Sequence, residues 1–171
     1  MKPLLFALLA FASCTSNSGE KSMEYEPPNG SFRARLPVDW KVDDSPDARS
    51  QAVFYGPPSA PGTFAQMIRV SLVVDSSPDS YRASRPGLPS PLAETFVSGE
   101  KSWEFLTARA FIDPHSGTSK IYSRVVMLPT ARGLFVFEHT WQAGTAPRKA
   151  VFDELLRSFK APPIRNQSSP S

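Results

Sequence analysis

The chain has 171 residues, 40% hydrophobic and 20% charged, with nineteen Lys and Arg against sixteen Asp and Glu for a net charge of +3. This is an ordinary globular composition, and the length holds one domain once a signal and a tail are set aside. The basic residues are scattered singly, too weak a signal for nucleic acid or polybasic membrane binding, and one cysteine excludes an intramolecular disulfide and any multi-cysteine metal site.

Met1-Lys2 makes a short positive start, and Leu4 to Ala12 is an apolar run. It has signal-peptide length and is too short for the twenty or so residues that span a bilayer. The run ends in Phe11-Ala12-Ser13-Cys14, and the polar stretch Thr15 to Lys21 follows at once. This resembles the lipobox of bacterial lipoproteins, in which two small residues precede a cysteine that takes a diacylglyceryl group on its thiol and becomes the new N-terminus. The expectation is a signal peptide over 1–13, an acylated Cys14, and a flexible tether over 14–23. The partner so implied is a lipid bilayer in the cell envelope, at the periplasmic face of the outer membrane or at the cell surface. Two or three acyl chains make such anchoring effectively permanent.

A single domain is expected over 24–161. Ser31 to Leu36 alternates as a half-buried strand does, and Pro37-Val38-Asp39-Trp40 turns the chain before Lys41-Val42, with Trp40 in the core. Gln51 to Tyr55 reads as a short strand, Gly56 to Gly62 as loop, and Met67 to Val74 as the strongest strand. Ser76 to Pro91 is rich in Ser, Pro and Arg; Ser80 to Ala83 can begin a short helix that the later prolines prevent from growing. Trp103 to Ile112, Lys120 to Leu128 and Leu134 to Trp141 are separated by short turn-rich segments and predict an antiparallel meander. Finally Val151, Phe152, Leu155, Leu156 and Phe159 recur at helical spacing, with Thr145 as expected N-cap, Pro147 in the first turn and Pro162-Pro163 as the stop. Residues 162–171 read as a disordered tail.

The order of these pieces resembles the PsbP/Mog/DcrB-like superfamily. The resemblance rests on Phe32 to Leu36 followed by Pro37-Val38-Asp39-Trp40, on Ala52 to Pro57 with Met67 to Val74, and on Leu155 to Lys160 before Pro162. It implies an α+β fold: an antiparallel sheet with a C-terminal helix packed on it, an α/β/α sandwich of PsbP/Mog-like type. Residues 76–91 depart from the pattern, which often has a well-formed helix there. Members serve nuclear transport, photosystem assembly and the bacterial envelope without shared catalysis, so fold alone implies little function.

Catalytic signatures are missing from the sequence. There is no Gly-x-Ser-x-Gly elbow and no phosphate loop, His115 sits in a turn-like stretch, and His139 has no second ligand at metal spacing, Glu138 pointing to the opposite sheet face. No enzyme, no cofactor and no metal are expected. Strand alternation instead suggests a sheet face on which aromatics interleave with Arg69, Arg109, Arg124 and His139, ending at Trp141; such a face grips a ligand by stacking and cation–π contact. The competing reading is ordinary packing, with that face covered by Ser76 to Pro91 and by the N-terminal strand. Ala108 and Ala110 on the other face leave room for a helix to approach. The functional expectation is a non-catalytic binding or assembly module of the envelope, with an envelope enzyme of hydrolase type as alternative and a purely structural component as a third.

Overall fold

The computed structural model of the protein describes residues 21–43, 50–57, 66–113 and 117–162. Cys14, the expected signal, His115 and the tail from residue 163 lie outside them. The elements are β1 (Ser22–Tyr25), β2 (Ala34–Pro37), β3 (Lys41–Asp43), β4 (Ser50–Tyr55), β5 (Gln66–Val73), α1 (Pro78–Ala83), β6 (Ala93–Val97), β7 (Glu100–Asp113), β8 (Gly117–Thr130), β9 (Gly133–Gln142) and α2 (Lys149–Ser158). β3 to β9 form one seven-stranded antiparallel sheet in the order β3-β4-β5-β9-β8-β7-β6, and β1 pairs with β2 in a separate ribbon. The expected α+β fold and the β7–β8–β9 meander are both present.

Period-two alternation gives the sheet two apolar faces. The first carries Ala52 and Phe54, Ile68 and Val70, Phe135 and Phe137, and Val126 and Leu128, all buried. α2 lies across it with Val151, Phe152, Leu155 and Leu156, and the β1–β2 ribbon flanks the helix with Phe32, Ala34 and Leu36. Phe159, just beyond α2, stacks on Phe32 at 5.5 Å and meets Phe135 and Phe137 edge-on at 5.1 and 4.7 Å. A backbone bridge between Arg33 and Lys160 closes the same junction. Trp40 is buried in this core, packed over Gly56.

The second face holds a smaller core of Phe105, Val125, Met127, Leu134 and Val136, covered by Tyr81 of α1 and by Leu92. α1 starts on a Ser77/Ser80 capping box with a proline in its first turn, and the chain after it runs along β7. There Ser90 exchanges hydrogen bonds with the Leu106 backbone. Gly87 passes so close that a Cβ on it would stand 2.3 Å from the Ala108 carbonyl oxygen, at a φ of +96° that other residues rarely adopt.

Several expectations are corrected. The N-terminal ribbon covers the first face, with α2, rather than the second; β1 begins at Ser22, inside the expected tether; and the five-residue β6 is a strand beyond those expected. The N-cap of α2 is Arg148, not Thr145. Thr145 bonds back to Gln142 in a turn, while the Arg148 N–H donates to the Gln66 side chain, so a tertiary bond sets the helix start. Ala108 and Ala110 are exposed and no helix of the described residues covers them; Ala110 lies where β7 and β8 run on past the last rung of β9, and Ala108 one rung inside it.

Truncating a buried aromatic typically costs about 3–5 kcal/mol. Phe159→Ala should lower the unfolding free energy by that amount in denaturant melts, whereas Leu106→Ala, at 54% exposure, should stay within about 0.5 kcal/mol of wild type.

Candidate functional site

The strand registers divide the five expected binding residues between two faces. On the first face His139 stands opposite both Ile68 and Arg124, and Trp141 opposite Tyr122. On the second face Arg69 stands opposite Val53 and Glu138, and Arg109 opposite Ile121. A single face carrying all five does not exist. The alternation within each strand holds, but two relative phases differ from the expectation: Ile68, not Arg69, is the neighbour of His139, and Leu106, not the set that holds Arg109, shares the face of Arg124.

On the second face the arginines are dispersed. Arg85 lies over the Tyr81 ring at 4.4 Å and reaches Glu138 at 3.5 Å, Arg69 is half-buried, and Arg109 is exposed. Residues 76–91 cover the apolar part of this face, as the packing alternative expected.

On the first face Arg124, His139 and Trp141 converge at the N-terminal end of α2. Arg124 is held from two sides. Its Nη2 and Nε donate to Glu104 Oε2 at 2.7 and 2.9 Å, and its Nη1 to Asp153 Oδ1 at 2.6 Å, with the guanidinium 5.4 Å from the centre of the Phe152 ring. Burial works against its charge, but the bonds and charges of Asp153 and Glu104 outweigh it and hold its pKa above the ordinary value. Such charge-assisted bonds fix the guanidinium plane.

His139 lies beneath this knot and is 1% exposed, so it is not a surface ligand. Phe152 and Trp141 flank its ring at 5.3 and 5.4 Å, and its Nε2 lies 3.2 Å from Gln66 Oε1, which also accepts the Arg148 N–H at 2.9 Å. Burial first, and Arg124's charge second, push its pKa down to about 4, with Asp153 opposing. The imidazole is therefore neutral, enclosed and bonded to an amide, not poised as a base beside a nucleophile.

Outward from the knot the surface turns apolar. Tyr122 and Trp141 are half-buried and stacked at 6.0 Å, and Leu106, opposite Arg124, is 54% exposed. Together they form a shelf that α2 leaves uncovered. Sequence reasoning missed Glu104, Asp153 and Gln66, which complete the cluster. The alternation that placed Leu106 also places Glu104 beside it, but only the pairing with β8 and the seating of α2 bring either acid to Arg124. At the far end of the sheet a pocket of about 510 Å³ is lined by Val97, Leu128, Phe159, Lys160 and Ala161. Among the described residues no cluster of three or more His, Cys, Asp or Glu could hold a metal ion.

No protein-family model matches the chain, and no curated protein matches it in sequence. Solved structures do resemble it. A Bacteroides thetaiotaomicron protein superposes with a TM-score of 0.57 at 14% identity, over 82% of this chain and 48% of that one, so this chain spans about half of its length. The cyanobacterial PsbP of Synechocystis matches with a TM-score of 0.52 at 13% identity, over 89% of this chain and 99% of that one. A variant of the protein Mog1 matches with a TM-score of 0.52 at 15% identity, over 82% of this chain and 95% of that one. The fold is thus the one that PsbP and Mog1 share, as the sequence resemblance implied; at these identities the likeness concerns fold alone.

The state of His139 predicts a pH dependence. Its pKa of about 4 when folded lies below the 6.5 of a free imidazole, so below pH 6.5 the unfolded chain takes up a proton that the folded one refuses. Stability should decline as pH falls from about 6.5 towards 4 and level off below, by up to about 3 kcal/mol. Denaturant melts of wild type and His139→Gln across this range should differ by that component.

Proposed function

We propose that the protein is a non-catalytic binding or assembly module of the bacterial cell envelope, held to a membrane through an acylated Cys14, which takes a partner on the shelf formed by Leu106, Tyr122 and Trp141. The observation that carries the reading is the shelf itself. An exposed leucine and two half-buried, stacked aromatics adjoin a finished Arg124–Glu104–Asp153 knot. Apolar anchors with a rim of oriented charges are the anatomy of a protein-binding patch, and uncovered apolar surface on a soluble domain usually marks such a site. The enclosure of His139 argues against hydrolase chemistry at this place.

The envelope placement rests on the lipobox-like Ala12-Ser13-Cys14 after its apolar run. In this reading residues 1–13 are removed, Cys14 carries the lipid, the chain up to residue 21 links it to the domain, and the folded module ends near residue 161.

Two measurements test the proposal. Intact mass of protein purified from membranes should show a mature N-terminus at Cys14 plus diacylglyceryl and acyl groups, and Cys14→Ser should lose that mass increment; an unmodified N-terminus elsewhere would sink the anchoring. In-membrane crosslinking followed by mass spectrometry should capture a defined partner that Leu106→Asp loses at least ten-fold with its thermal midpoint unchanged. Undiminished capture by Leu106→Asp would remove the shelf from consideration.

A further inference from the structure

The β7–β8 hairpin runs past the edge of its sheet. Ile121 faces Gln142 on the last rung of β9, the Ala143 N–H donates to the Lys120 carbonyl and the Gln142 amide to the Ser119 hydroxyl, and beyond these contacts the rungs Ile112–Thr118 and Asp113–Gly117 have only each other. At a strand rise of about 3.3 Å the ribbon projects roughly 10 Å beyond Lys120. Its first-face side carries Ile112, 82% exposed, with exposed Ala108 and Ala110 beside it. Lys120, on the same side, and Arg109, on the other, are exposed as well. At that exposure Ile112 adds little to the domain's own core.

The same end of the molecule is where the chain leaves toward Cys14. The Lys21 carbonyl accepts the Val38 N–H at 3.0 Å, and Asp39 pairs with Arg148 at 2.9 Å. Arg148 bonds Gln66, Gln66 stands opposite Trp141, and Trp141 opposite Tyr122 at the root of the ribbon. From Cys14 to Lys21 is seven residues, which reach at most about 25 Å when fully extended. The fourteen residues of β8 alone span about 46 Å. A lipid on Cys14 therefore turns the Lys21 end of the domain, and the ribbon with it, toward the bilayer.

We propose that the projecting β7–β8 ribbon is a second membrane contact, in which Ile112 enters the headgroup boundary and Lys120, Arg109 and Lys21 meet anionic headgroups. The inference rests on the reading of Cys14 as the lipid attachment. Charge complementarity favours this occupant: Glu104 and Asp153 are engaged by Arg124, and Asp39 by Arg148, which leaves Lys21, Arg109 and Lys120 exposed at this end against Asp113 in the ribbon sequence. An interfacial element combines these features, an exposed apolar side chain and basic neighbours close to an aromatic pair. The contact sets orientation: with two points fixed, the shelf of Leu106, Tyr122 and Trp141 stands at a set height above the membrane.

The test uses the mature lipidated protein, in which acylation consumes the Cys14 thiol. Ile112→Cys and, as far-end control, Lys160→Cys are labelled with an environment-sensitive fluorophore and reconstituted in vesicles of phosphatidylcholine with phosphatidylglycerol. The probe at 112 should be quenched by lipid-borne nitroxide and protected from iodide, and the probe at 160 should behave oppositely. Adding Lys120→Glu should weaken the engagement at 112 roughly five-fold. Iodide access at 112 in acylated protein overturns the inference and leaves the anchor standing. Protection from both quenchers overturns it in favour of a second copy of the chain on the ribbon. Intact mass of the same preparation identifies failure of acylation, in which case the anchor falls and this inference with it.

Discussion

The burial of Phe159 is the contact on which the rest of the structure depends. Its ring joins Phe32 from the N-terminal segment to Phe135 and Phe137 in the central strand, just where α2 ends. The adjacent backbone bridge between Arg33 and Lys160 ties the first and last parts of the domain together. With that junction closed, the C-terminal end of α2 is held over Phe135 and Phe137, and its N-terminal part stands over His139 and Arg124. Aromatic rings in edge and stacked geometry bury a large area in fixed orientation, which is why one residue can set the seating of a helix.

From that seating follows the division of the first face into a dry half and a wet half. Under α2 the face is wholly apolar; at the helix start it becomes a buried imidazole, then a paired guanidinium, then a half-exposed aromatic stack. Burying Arg124 is tolerable because Glu104 comes from the sheet and Asp153 from the helix, so the charge is compensated only when the two layers are assembled. The knot thus specifies how the layers dock as well as presenting charge at the rim of the shelf. A partner approaching that shelf meets side chains already held in place, which lowers the ordering entropy that association must overcome.

The second face follows different logic. Its cover is one short helix and an extended segment, held by a few side-chain and backbone bonds to β7 and by the close approach of Gly87. The prolines of this segment prevent a longer helix, and on the first face Ala110 and Ile112 are left exposed. The projection of β7 and β8 is a consequence of unequal strand lengths: fourteen residues each, against ten in β9.

What the sequence determined by itself was whatever local physics decides. Alternation along Met67 to Val74 and Leu134 to Trp141 marked strands with an apolar face; the spacing of Val151, Phe152, Leu155, Leu156 and Phe159 marked an amphipathic helix; and the Pro-x-x-Trp turn put Trp40 in the core. The α+β class follows from those periods. What only the tertiary structure decided was relative phase and coverage. Whether Arg69 or Ile68 stands beside His139 depends on a register between strands more than sixty residues apart, and a shift of one residue moves every side chain to the other face. Likewise, no local signal says that Ala108 and Ala110 stay bare, that Asp153 meets Arg124, or that Lys21 bonds to Val38. Each depends on where distant elements stop, and that is set by the sum of long-range contacts rather than by any stretch of chain.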